Sequence, residues 1–193
     1  SSMSVDFSDV DRDGALDFFV VDMLSHDPRL RKRQMFSDKP VVTPIGGGDL
    51  RPQIMRNTLF RNRGDGTFAE VANYGGVPGS DWSWSPIFTD VDLDGYDDLL
   101  ISAGHFRDVQ DLDATREIQA RQHSWRDFKD ESARQKVFTR ELMEHYRLYP
   151  LLPMPIMAFR NARDWTFEET TAQWGLNHLA IHHGMALGDF DQD

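Results

Sequence analysis

Asp90-Val91-Asp92-Leu93-Asp94-Gly95-Tyr96-Asp97-Asp98 is the stretch on which the fold turns. The same pattern, D-x-D-x-D-G-x-x-D, stands at Asp9-Val10-Asp11-Arg12-Asp13-Gly14-Ala15-Leu16-Asp17. A third stretch, Asp189-Phe190-Asp191-Gln192-Asp193, matches as far as it extends. Each follows a short apolar segment: Val5-Asp6-Phe7, Pro86-Ile87-Phe88 and Met185-Ala186-Leu187. The first two are followed by strand-type runs, Leu16 to Val21 and Leu99 to Ile101. The unit is therefore strand, acidic loop, strand.

Repetition extends beyond the loops. Leu59-Phe60-Arg61-Asn62-Arg63-Gly64-Asp65-Gly66-Thr67-Phe68-Ala69-Glu70 recurs as Ala158-Phe159-Arg160-Asn161-Ala162-Arg163-Asp164-Trp165-Thr166-Phe167-Glu168-Glu169. The offset of 99 residues also carries Asp90 onto Asp189, which points to duplication. Each copy reads as two strands joined by a hairpin, and Gly64-Asp65-Gly66 supplies residues that tolerate positive φ. Four antiparallel strands per unit, repeated, define a propeller blade. The expected fold is all-β: β-propeller blades of four antiparallel strands, with a helical insertion. One blade is expected over 3–71, a second over 84–170, and the start of a third over 183–193. Propellers close with about 4–8 blades, so 1–193 is expected to be a portion of one propeller. The remaining blades would come from the rest of a longer chain.

The long connections differ. The first, 23–56, carries Pro28, Pro40, Pro44, Gly46-Gly47-Gly48 and Pro52 and reads as a loop insertion. It holds a basic knot, Arg29, Arg31, Lys32 and Arg33, expected to be a solvated loop or a contact for an acidic glycan or a partner. The second, 105–155, reads as helix, with Ile118, Trp125 and Phe128 on one face and Phe138, Leu142 and Tyr146 at i, i+4, i+8. That apolar face is expected to pack on the propeller rim or on a partner.

Composition narrows the partners. The 193 residues carry a formal net charge of −11 and no cysteine. That sign argues against nucleic acid and anionic membrane, and the missing thiols exclude disulfides and thiolate sites. No run of about 18 apolar residues exists, so no membrane span is expected. Ser1 to Asp9 does not read as a signal peptide.

Alternate aspartates on a tight loop aim carboxylates at one centre, and Ca²⁺ takes 6–8 oxygens of this kind. The expected ligands are the side chains of Asp9, Asp11, Asp13 and Asp17 with the carbonyl of Ala15, and those of Asp90, Asp92, Asp94 and Asp98 with the carbonyl of Tyr96. Asp189, Asp191 and Asp193 offer a weaker third set, lacking the glycine and the ninth-position carboxylate. An EF-hand needs a bidentate Glu at position 12, where Val20 and Ile101 stand instead. Mg²⁺ suits an all-protein cage poorly. Without a cation, four carboxylates within nine residues repel one another.

Other candidates have plainer roles. Arg63-Gly64-Asp65 is read as a hairpin turn rather than an adhesion tripeptide. Trp82 and Trp84 are read as blade packing rather than a sugar platform, and His182 and His183 as packing or capping rather than metal ligands.

The acidic loop between apolar strands resembles the FG-GAP (or VCBS) repeat of integrin α-subunit propellers and many secreted bacterial proteins. Val21-Asp22-Met23-Leu24-Ser25, Asp81-Trp82-Ser83-Trp84-Ser85 and Trp174-Gly175-Leu176 are similar to the bacterial branch related to cartilage acidic protein, which often ends in an ASPIC/UnbV domain. The second hairpin departs from that pattern, with Asp164-Trp165 in place of turn glycines. Two function classes follow. One is a non-catalytic calcium-stabilised module that binds a protein or glycan through its insertions. The other is part of a calcium-stabilised enzyme acting on polysaccharides, a lyase or a glycoside hydrolase. Extracellular loops of this kind bind calcium with Kd of about 10⁻⁴–10⁻³ M, so an extracellular, cell-surface or periplasmic location is expected.

Overall fold

Two four-stranded antiparallel sheets form the body of the protein, described by a computed structural model over residues 2–34, 55–121 and 129–188. The first sheet has the order β1 (Ser4–Ser8), β2 (Asp17–Val21), β3 (Thr58–Asn62), β4 (Phe68–Glu70). The second has the order β5 (Ser83–Thr89), β6 (Asp98–Ala103), β7 (Met157–Asn161), β8 (Phe167–Glu169). Sequence neighbours pair throughout, so each sheet is a meander. The acidic loops join the first and second strands of each sheet, and tight hairpins join the third and fourth.

Side-chain alternation along these strands decides how the sheets meet. Phe19, Val21 and Leu59 on one face of the first sheet, with Val10, are fully buried. They share a core with Phe88, Leu99, Ile101, Phe159 and Phe167 of the second sheet. β1 lies beside β5, where Asp6 accepts the Phe88 backbone N–H at 2.8 Å. Residues at equivalent places in the repeat have opposite fates. Phe7 and Phe18 correspond to Phe88 and Leu99 (the shift of 81 that carries Asp9 onto Asp90), and Phe60 and Phe68 to Phe159 and Phe167 (the shift of 99). Phe88 and Phe167 are each 7% exposed, whereas Phe7 is 57% and Phe68 44% exposed. Phe7, Phe18, Phe60 and Phe68 of the first sheet form a surface ladder, with Phe18 stacked on Phe60 at 4.6 Å and flanked by Phe7 and Phe68. One face of each unit thus meets the opposite face of the next.

The connections differ from their expected form in two respects. Residues Pro28–Arg33 form a helix, α1, where a loop is expected. Asp27 caps it by accepting the Arg29 N–H, and Pro28 occupies the first turn, where a proline starts a helix rather than breaking one. Two of its basic residues, Arg31 and Arg33, are not simply solvated. Arg33 pairs with the buried Asp111, Arg31 Nε donates to the Ser25 carbonyl, and Gln34 donates to Asp108 at 3.0 Å, tying the two insertions together. The second insertion contains α2 (Leu112–Ala120) and α3 (Glu131–Tyr146), capped by Asp111 and Asp130. The expected apolar face of α3 does not pack on the sheets: Phe138 and Leu142 are exposed, and the buried residue is Glu141. Tyr146 meets Phe106, with ring centroids 6.4 Å apart. Trp125, Phe128 and the third acidic stretch with Asp189, Asp191 and Asp193 lie outside the described residues. Met185-Ala186-Leu187, expected to open a third blade, pairs with no strand among the described residues. The chain nearby is anchored by His182 N–H to the Ala103 carbonyl and by Ser102 Oγ to the His183 carbonyl.

Trp82 and Trp84 pack rather than face solvent as a platform. A bulge between Ser83 and Ser85 lets both indoles stack on His105, at 4.5 and 6.0 Å, and Trp84 Nε1 donates to the Gly104 carbonyl at 2.7 Å. Beside them, Asp81 sits at φ 65°, buried, accepting from Ser25 Oγ and the His26 N–H. Burial raises its carboxyl above the ordinary 3.8, outweighing those two hydrogen bonds. The folded pKa then exceeds the unfolded one, so folding takes up a proton between 3.8 and the raised value. Stability from Asp81 therefore grows as pH falls from neutral through that window. Asp81→Asn keeps an acceptor for Ser25 and tolerates the left-handed conformation. Denaturation midpoints measured from pH 7 to pH 4 are expected to lose this acid-side gain in the variant.

Candidate metal centre

The loops between β1 and β2 and between β5 and β6 have one geometry twice over. In the first, Asp9 accepts the N–H of Asp13 and of Gly14, both at 2.9 Å, and Asp13 Oδ1 accepts the Ala15 N–H at 2.8 Å. In the second, Asp90 accepts from Asp94 at 2.9 Å and Gly95 at 2.8 Å, and Asp94 Oδ1 accepts from Tyr96 at 3.0 Å. Positions 4 and 6 are left-handed in both: Arg12 and Gly14 at φ 62° and 88°, Leu93 and Gly95 at 58° and 90°. The glycine is required at position 6 because φ near 90° is costly for any residue with a Cβ.

The ninth position anchors each loop. Asp17, at the start of β2, accepts the Val10 N–H at 3.0 Å and the Asn62 N–H at 2.8 Å. Asp98, at the start of β6, accepts the Val91 N–H at 3.0 Å and the Asn161 N–H at 2.9 Å. Burial pushes both carboxyls above 3.8; the backbone hydrogen bonds oppose this, and the neighbouring loop carboxylates add to the rise. Asn62 and Asn161 are not marked out by the acidic-loop motif itself. Asn62 Nδ2 also donates to the Leu16 carbonyl, and Asn161 Nδ2 to the Val10 and Asp97 carbonyls. Their signal was the Arg-Asn pair repeated at the shift of 99.

Of the expected ligands, Asp9, Asp11 and Asp17 bring one carboxylate oxygen each to within 4.8 Å of one another, as do Asp90, Asp92 and Asp98. Asp13 and Asp94 stand outside these groups. An all-oxygen, all-anionic donor set suits a hard divalent cation. The first loop fits one further, because Asp11 Oδ1 is buried and has no hydrogen-bond donor. In the second loop arginines intervene: Arg160 Nε reaches Asp92 Oδ2 at 2.7 Å, and Arg163 Nη2 reaches Asp94 Oδ2 at 2.7 Å. The hydrogen bond from Arg163 holds the Asp94 carboxyl below 3.8.

The two loops touch. Ser8 Oγ donates to Asp97 at 2.6 Å, Trp165 Nε1 donates to Asp11 at 3.1 Å, and the Arg12 guanidinium lies 5.5 Å from the Tyr96 ring centroid. Asp65, in the Arg63-Gly64-Asp65 turn, spends Oδ1 on the Thr67 N–H and hydroxyl, as Asp164 does on Thr166. The hairpin-turn reading is sufficient for it.

Residues 45–101 match the family described as FG-GAP-like repeat, a stretch that includes the complete acidic loop 90–98 and the first hairpin. No curated protein matches the chain. FG-GAP repeats are typical of extracellular and surface proteins. No described helix is long and apolar enough to cross a membrane.

Proposed function

We propose that the chain is a calcium-binding portion of an extracellular or cell-surface β-propeller, a non-catalytic module that binds a protein or glycan through its insertions. The observation that carries this is the twofold recurrence of one loop geometry, each copy converging three carboxylates. Asp9, Asp11 and Asp17 would hold one Ca²⁺ and Asp90, Asp92 and Asp98 another, with Asp13, Asp94 and the carbonyls of Ala15 and Tyr96 completing the sets. The bound cation supplies counter-charge that pins each loop. Asn62 and Asn161 orient the ninth-position carboxylates, and the glycines let the backbone close.

The face-to-opposite-face packing of the sheets supports the propeller assignment. Such head-to-tail contacts extend into rings when their rotation closes. The surface ladder of Phe7, Phe18, Phe60 and Phe68 is the patch that a preceding blade would cover. The Asp81-Trp82-Ser83-Trp84-Ser85 segment supports placing the module in the branch related to cartilage acidic protein. Polysaccharide cleavage draws no support from the described residues, whose best-placed carboxylates are engaged by backbone N–H groups and arginines.

Melting in calcium and in chelator tests the proposal. At about 2 mM calcium, a loop with a Kd near 10⁻⁴ M stabilises the fold by about 1.8 kcal/mol when loaded. For a chain of this length that corresponds to about 4–7 °C for such a loop, and less for a weaker one. Chelator should remove the shift, and Asp9→Asn combined with Asp11→Asn should remove the part due to the first loop. A melting temperature indifferent to both would exclude calcium as a stabiliser.

A further inference from the structure

The two loops share a backbone but not a charge environment, and the difference originates in the hairpins. Gly64 and Gly66 of the first hairpin, at φ 72° and 83°, correspond to Arg163 and Trp165 of the second, which hold φ 68° and 70°. Residues with a Cβ rarely adopt this conformation. Arg163 does so with its guanidinium on the neighbouring loop: Nη2 lies 2.7 Å from Asp94 Oδ2, and the group lies 4.9 Å from the Tyr96 ring centroid. Arg160 adds contacts to Asp92 Oδ2 at 2.7 Å and Asp94 Oδ2 at 3.4 Å.

The first loop has less cover. Arg61, the repeat counterpart of Arg160, lies 3.5 Å from Asp11 Oδ2, and its guanidinium sits over Trp165 at 4.8 Å. The counterpart of Arg163 is Gly64, which has no side chain to offer. Among the described residues no basic side chain pairs with Asp13, and Asp11 Oδ1 lacks a donor.

We infer that loop 90–98 is arginine-clamped: the guanidinium groups of Arg160 and Arg163 serve there as a built-in counter-ion on Asp92 and Asp94. Ca²⁺ then fills loop 9–17 first, and loading of loop 90–98 requires Arg163 to leave Asp94. This inference rests on the assignment of both loops as calcium sites. It makes Arg163 the residue that sets the affinity difference between them.

Calorimetric titration of the whole chain with calcium chloride, after chelator treatment, tests it. The native chain should show two classes of site separated by at least about tenfold, within the usual range of coupling between charged groups and ligands. Asp11→Asn should delete the tighter class and Asp92→Asn the weaker one. Arg163→Gly restores the residue found in the first hairpin and relieves the left-handed φ, so folding is not at risk. It should tighten the weaker class by about tenfold while leaving the tighter one unchanged. Two sites of equal affinity, a tighter class deleted by Asp92→Asn, or an unchanged weaker class in Arg163→Gly would each overturn the clamp while leaving the calcium assignment standing. Absence of any binding in the native chain would overturn both.

Discussion

Replacing Phe159 by alanine is expected to destabilise the protein by about 3–5 kcal/mol, the cost of removing a large aromatic side chain from a packed core. Phe159 is 1% exposed and shares the inter-sheet core with Phe19, Leu59 and Leu99. Its repeat counterpart, Phe60, faces the partly open side of the first sheet, where it stacks on Phe18. Phe60→Ala should therefore cost only about 1–2 kcal/mol, since little apolar surface returns to water. Urea unfolding of the two variants checks the pair. Equal losses would mean that the sheets do not meet through the faces described.

Asp17→Ala is the second large effect, expected at about 2–6 kcal/mol. The carboxylate is 1% exposed and accepts from two backbone N–H groups, one in the acidic loop and one in the β3–β4 hairpin. Alanine leaves both donors without a partner, at about 1–3 kcal/mol each. Asp17→Asn keeps one acceptor oxygen and should lose about half as much. Because the loss comes from the protein's own hydrogen bonds, it should persist in excess chelator, unlike the effect of Asp11→Asn. Unfolding curves in chelator separate the two contributions. If Asp17→Ala in chelator matched the unsubstituted protein, the anchoring role would be wrong.

The shape of each acidic loop is legible because it is coded locally. Alternate aspartates, one glycine and a ninth-position aspartate prescribe a tight turn, and in both loops the first aspartate accepts N–H groups four and five residues on. Hairpins around Gly64-Asp65-Gly66 were legible for the same reason. What escaped depended on distant partners. Arg163 and Trp165 break the turn chemistry that the first hairpin obeys, and their left-handed backbone is explicable only through Asp94, Tyr96, Asp11 and Arg61, which the fold brings from the acidic loops and β3. Pro28 was read as a breaker, although Asp27 before it makes the dipeptide a helix start. The i, i+4, i+8 spacing of Phe138, Leu142 and Tyr146 predicts one apolar side packed on the rim or on a partner, but periodicity states which residues share a side and not what covers it. Phe138 and Leu142 remain exposed, and Tyr146 turns to Phe106.

Calcium in the two acidic loops, as proposed, would be visible in a crystal structure of the protein grown in millimolar calcium. A calcium peak is expected in loop 9–17 with oxygens of Asp9, Asp11 and Asp17 at about 2.3–2.6 Å. A second peak in loop 90–98 should appear as calcium is raised, accompanied by movement of Arg163 away from Asp94. Well-ordered loops holding no cation at saturating calcium would contradict the calcium assignment.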